Sequence, residues 1–117
     1  MLVSDATAAL GAPPGRYRLG ELAIASDGVR AQDPATGALA GSAAGLDAGV
    51  RNVVAITGCS AAEAIAAATS TPAGLLGRAE LGALGAGSPA DMVLLDADLR
   101  VATTIVGGVV AHRRDAG

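Results

Sequence analysis

The chain opens on a short apolar run, Leu2-Val3, closed by Ser4 and Asp5 and followed by small residues. That is the pattern of a buried parallel strand, and an α/β barrel presents the residue at the C-terminal end of such a strand to its pocket. Asp5 has two readings at this point, a turn former or helix cap on one side and a catalytic carboxylate on the other. Gly11-Ala12-Pro13-Pro14-Gly15 then excludes helix and central strand, since proline fixes φ and removes a donor. A loose period of two runs from Tyr17 through Ile24, Ser26-Asp27-Gly28 supplies a turn, and Val29 to Gln32 return. Together they predict a β-hairpin over 17–33. Asp33-Pro34-Ala35-Thr36-Gly37 predicts a second turn. It leads into Leu39-Ala40-Gly41-Ser42, a small-residue strand or loop whose bare backbone suits either tight packing or close approach to a ligand.

From Leu46 the period becomes helical, with Leu46, Val50, Val53 and Val54 on one face, Asp47 and Arg51 on the other, and Gly45 as N-cap. Ser60-Ala61-Ala62-Glu63 is a capping box that predicts a second helix. Thr71-Pro72 predicts a third, with Thr71 as cap, Pro72 at the first helical position and Gly77 as its end. The pattern then returns to strands. Met92-Val93-Leu94-Leu95 is too short for a helix and apolar enough to be covered on both faces. Asp96-Ala97-Asp98 predicts a turn, and Leu99 to Val106 the returning strand. Gly107-Gly108 is a two-residue hairpin signal, with Val109-Val110-Ala111 as the last strand before a polar tail that carries His112.

Composition narrows the function classes. A chain of 117 residues that is 51% hydrophobic is built to be buried, and its mean hydropathy of +0.49 excludes a disordered segment. Tyr17 is the only aromatic residue, so large rings do not anchor the core. The net charge is -3, and the basic residues cluster nowhere beyond Arg113-Arg114. That leaves no electrostatic footprint or stacking surface for nucleic acid. Cys59 is alone, which excludes an internal disulfide, fits a reducing cytoplasm and reads as a buried structural thiol. No apolar stretch reaches membrane-spanning length, so no membrane partner is expected.

With those residues placed, the chain resembles the C-terminal third of the N-acetylglucosamine-6-phosphate deacetylases of the amidohydrolase superfamily. Val3-Ser4-Asp5-Ala6 is similar to that family's Val-Thr-Asp-Ala at the last barrel strand, and Leu39-Ala40-Gly41-Ser42 matches its Leu-Ala-Gly-Ser loop. Residues 46–54 resemble its Leu-Asp-Glu-Ala-Val-Arg-Asn helix, and Thr71-Pro72-Ala73 with Leu76-Gly77 its Pro-Ala…Leu-Gly element. The stretch from Gly82 to Asp96, with Ala90-Asp91 at its centre, resembles a signature of the wider superfamily.

The resemblance implies an α/β fold: the end of a metal-dependent hydrolase (β/α)8 barrel, with its last strand and following helices, plus part of a small β-sandwich domain. The expected boundaries are 1–80 for the barrel end and 81–117 for the sandwich strands. It implies hydrolysis of N-acetylglucosamine 6-phosphate to glucosamine 6-phosphate and acetate by water activated on a divalent metal, zinc or similar. Asp5 is implied as the group that accepts the water's proton and passes it to the departing amine, and Leu39, Ala40 and Gly41 as substrate contacts. That family's metal ligands, a Glu and two His, lie upstream of the matched segment, and one His cannot hold a catalytic zinc. The chain therefore reads as an incomplete part of such an enzyme, inactive alone, with an upstream fragment or a second copy as partner. Two alternatives stand beside this reading: another amidohydrolase of the cyclic-amidase or deaminase type, and a non-catalytic module that pairs its strand edges with an upstream chain.

Overall fold

The computed structural model describes residues 1–115. The fold is α/β, as expected, and the chain packs as two compact units, one spanning Val3–Gly49 and the other holding Met1–Leu2 and the chain from Val50 on.

In the first unit, β1 (Gly15–Leu19), β2 (Leu22–Ser26), β3 (Arg30–Gln32) and β4 (Leu39–Ser42) form an antiparallel sheet in the order β1-β2-β3-β4. The sequence pattern foresaw one hairpin over 17–33, but the chain turns twice there. Gly20, at φ 61, makes a tight loop with Glu21, so Tyr17 pairs with Ile24 across a β1–β2 hairpin. A strand that ran straight through Gly20 would leave the glycine's left-handed freedom unused. The expected turn at Asp33–Gly37 is present, built by Asp33: its Oδ1 accepts from Ala35 N at 2.8 Å and its Oδ2 from Thr36 Oγ1 at 2.9 Å. These donors hold the Asp33 carboxyl below its ordinary pKa. The core of this unit is small, with Ile24, Ala9, Ala31 and Ala43 buried and Tyr17 and Ala40 packed against it. One aromatic ring thus does help to close it.

The opening run departs from its pattern. Leu2-Val3-Ser4 forms no strand, and Val3 is 63% exposed. Among the described residues, its one ladder contact is an isolated parallel bridge between Ala6 and Ser42. A parallel strand needs a hydrogen-bonded neighbour to hold it extended, and the described residues provide only that single bridge.

Helix α1 (Leu46–Thr57) forms as the periodicity predicts, with Val50 buried, although Leu46 stays exposed. Helix α2 (Ala61–Ala68) carries the full capping box: Ser60 Oγ accepts from Glu63 N, and Glu63 Oε2 accepts from Ser60 N at 2.8 Å. The Ser60 hydroxyl, with its backbone N–H second, lowers the pKa of Glu63. Helix α3 (Ser70–Leu75) starts earlier than foreseen, with Thr69 rather than Thr71 as N-cap and no side-chain cap bond. Pro72 still sits in the first turn, where its missing N–H costs nothing. At the far end Gly77, at φ 67, closes a Schellman motif in which Arg78 N donates to Ala73 O at 2.9 Å and Gly77 N to Gly74 O at 3.1 Å. Cys59, foreseen as buried, is only half-buried in the turn between α1 and α2.

The second unit also holds a three-stranded antiparallel sheet, β5 (Met92–Leu95), β6 (Val101–Val106) and β7 (Val109–Arg113). Gly107 and Gly108 have φ of 56 and 81, as a type I′ turn requires. Asp91 pins that turn: its Oδ1 accepts from Gly107 N at 2.7 Å, while Ala90 O accepts from Gly108 N at 2.9 Å. The Ala90-Asp91 signature thus has a structural task here. Three strand expectations change. Val93 and Leu94 are about half exposed, so β5 is not covered on both faces. Leu99 lies in a turn at φ 56 and β6 begins at Val101. His112 is within β7, opposite Thr104, and not in a tail.

Arg51 braces this unit, because its Nη1 donates to Leu99 O at 2.9 Å in the turn that joins β5 to β6. Replacing Arg51 by Met keeps the aliphatic stem and removes the charged donor. The expected loss is about 1.5–3 kcal/mol of stability, the worth of a hydrogen bond from a charged group, read from the urea midpoint of the chain. An unchanged midpoint would show that the brace is dispensable.

Candidate active site

The candidate site lies entirely in the first unit, where the opening segment runs along the free edge of β4. Asp5 O accepts from Ser42 N at 2.8 Å, and Ser42 O accepts from Thr7 N at 2.8 Å. Ala6 sits between them as the bridge partner of Ser42. Asp5 itself has φ 47, in the left-handed region that Asp tolerates better than most residues.

On β4 the register slips. Arg30 pairs with Ser42 and Gln32 with Leu39, so one extra residue is accommodated in β4 as a bulge. Gly41, at φ 100, takes that strained place. A Cβ on Gly41 would stand 2.8 Å from Asp5 O, 2.7 Å from Thr7 Cγ2 and 3.6 Å from Asp5 Oδ2. The main chain of Gly41 is therefore pressed against Asp5, with no room for a side chain between them, which is the tight packing that the small residues allow.

The structure brings together Asp5 and Gly41, two residues that the sequence separates by several turns and three strands. Leu39 is 72% exposed, whereas Ala40 is half-buried against the core. Asp5 is exposed as well, open to whatever occupies the space beside the bulge. Sequence reasoning passed over Thr7 and took Ser42 only as the end of the Leu-Ala-Gly-Ser match. The only local sign was a Thr directly ahead of a small-residue turn, and its partner lies 35 positions away.

Several other carboxylates have structural tasks, Asp33, Glu63 and Asp91 among them. Asp96 accepts from Arg114 Nη2 at 2.7 Å and from Arg100 N at 2.9 Å. The Arg114 guanidinium, followed by the Arg100 N–H, lowers its pKa. Among the described residues no three His, Cys, Asp or Glu side chains gather where they could hold a metal ion. The donor set therefore does not fit a divalent-metal cradle. Among the same residues, no helix is long and apolar enough to cross a membrane.

The amidohydrolase family model matches residues 10–111. The chain is 41% identical over 117 residues to the N-acetylglucosamine-6-phosphate deacetylase of Homo sapiens, covering 99% of this chain and 29% of that protein. It is 43% identical over 113 residues to the N-acetylgalactosamine-6-phosphate deacetylase of Escherichia coli O157:H7, covering 95% and 29%. Among solved structures, the N-acetylglucosamine-6-phosphate deacetylase of Thermotoga maritima superposes with a TM-score of 0.84 at 34% identity, covering 97% of this chain and 31% of that one. The chain thus spans under a third of the length of these relatives. The family is in general metal-dependent. With its model matched over nearly the whole length, the chain belongs to the amidohydrolase family.

Proposed function

We propose that this chain is part of a deacetylase that converts N-acetylglucosamine 6-phosphate to glucosamine 6-phosphate and acetate, with Asp5 as the proton-transfer group. The observation that carries the reading is the exposed Asp5, whose main chain is held against β4 beside Gly41 so that its carboxylate lies next to the small-residue loop. As water adds to the acetyl carbonyl, Asp5 accepts its proton and a C–O bond forms. As the C–N bond of the tetrahedral intermediate breaks, Asp5 returns that proton to the nitrogen, since an amine leaves poorly without one. Leu39 offers its exposed side chain to the sugar. Ala40 turns its methyl toward the core, so it and Gly41 offer main chain.

In this reading residues 1–80 belong to the end of a barrel and 81–117 to a β-sandwich. The divalent metal is held by side chains other than those described, and no step above depends on it. The lone Cys59 supports a reducing, cytoplasmic setting.

The test is a hybrid enzyme in which this chain replaces the matching segment of the Thermotoga maritima deacetylase. Acetate release is measured from N-acetylglucosamine 6-phosphate, from its galactosamine epimer, and ring opening from a cyclic amide. The glucosamine substrate is expected to give the highest kcat/KM. Preference for the cyclic amide would overturn the assignment of Leu39-Ala40-Gly41, and preference for the epimer would move the substrate within the same class.

A further inference from the structure

We infer that Thr7 is a positioning residue for Asp5, the clamp that fixes the carboxylate against the β4 bulge; this rests on the proton-transfer reading of Asp5. Thr7 uses every polar atom it has near the bulge. Its N–H and its Oγ1 both donate to Ser42 O, at 2.8 and 3.1 Å. The hydroxyl oxygen also accepts from Ala9 N at 3.3 Å, and Thr7 O accepts from Leu10 N at 3.1 Å, which starts the turn after the site. The hydroxyl thus ties β4 to the turn that carries the chain away from Asp5.

Asp5 has little else to hold it. It sits at a positive φ, its segment forms no strand, and its own main chain is tied to β4 through Ser42 N to Asp5 O at 2.8 Å. Ser42 is therefore gripped from both sides of Ala6, by Asp5 at its N–H and by Thr7 at its carbonyl. Without the hydroxyl, Ser42 O keeps only the Thr7 N–H, Ala9 N loses its partner and the turn after the site loosens, so the segment that carries Asp5 gains play against β4, and an ångström of misplacement is enough to slow a proton transfer strongly. The Thr7 methyl contributes separately, since its Cγ2 is one of the atoms that closes the space over Gly41.

Two variants separate the hydroxyl from the methyl. Thr7→Val keeps the methyl and loses the hydroxyl, and Thr7→Ser does the reverse. In the hybrid enzyme Thr7→Val is expected to lower kcat by about tenfold to a hundredfold with little change in KM, while Thr7→Ser retains activity within about threefold. A clamp that served stability alone would lower the melting midpoint of Thr7→Val and leave kcat intact, and that result would overturn the inference. Amide exchange on the 117-residue chain itself gives an independent reading: Thr7→Val should speed exchange at Ser42 and Ala9, and Thr7→Ser should not. If the wild-type hybrid is inactive, or Asp5→Asn leaves its turnover unchanged, the proton-transfer reading fails. In that case unchanged exchange at Ser42 would also remove Thr7 as the clamp, and faster exchange would keep it as one.

Discussion

Asp5→Asn is expected to lower kcat of the hybrid enzyme by about a hundredfold to ten-thousandfold, the range over which a positioned acid–base group contributes. The substitution isolates chemistry from architecture. Asparagine has the same shape and adopts the left-handed backbone region about as readily as aspartate, so φ 47 at this position is retained. The bond from Ser42 N ends on the main-chain oxygen of Asp5 and is untouched by the change. What disappears is the ability to take a proton from water and return it to nitrogen. KM should therefore change little, and the melting midpoint should stay where it was. Turnover within about threefold of the parent would remove Asp5 from the reaction.

Gly41→Ala should damage both fold and activity. An alanine at φ 100 is strained whatever its surroundings, at a cost of about 1–3 kcal/mol. Here the surroundings are also closed, because the new carbon would stand 2.8 Å from Asp5 O and 2.7 Å from Thr7 Cγ2. Main-chain oxygen already engaged by Ser42 N cannot yield cheaply, so the opening segment has to move and the carboxylate moves with it. A fall in turnover of about a hundredfold is expected, together with the loss of stability. Gly37→Ala is the control. Gly37 has φ 73 with open space around it, so an alanine there meets backbone strain without crowding. It should lower the midpoint by the equivalent of about 1–2 kcal/mol and leave turnover unchanged. Equal effects on turnover at the two glycines would show that the contact with Asp5 is unimportant.

Much of this could be read along the chain because its causes are local. The Ser60–Glu63 box, the Gly107-Gly108 hairpin, the Asp33 turn and the helical period from Leu46 each depend on residues within a few positions of one another. Residue type alone leaves Asp5 and Leu39-Ala40-Gly41 open between structural and functional readings, and the resemblance is what nominates them. What the linear pattern could not decide was how those nominations meet. The extra turn at Gly20, the half-exposed face of β5 and the absence of a strand at Leu2-Val3-Ser4 all depend on which segments find hydrogen-bonded neighbours, and no local pattern records that.

The sequence by itself determined which positions can turn, cap a helix or carry a proton, because those properties belong to the side chain and its immediate backbone. Only the tertiary structure decided that the bulge at Gly41 presses on Asp5, that Thr7 grips Ser42, and that Arg51 and Asp91 brace turns. Each of those facts is a contact between residues far apart in the chain. Such a contact exists only once sheet pairing has set their register.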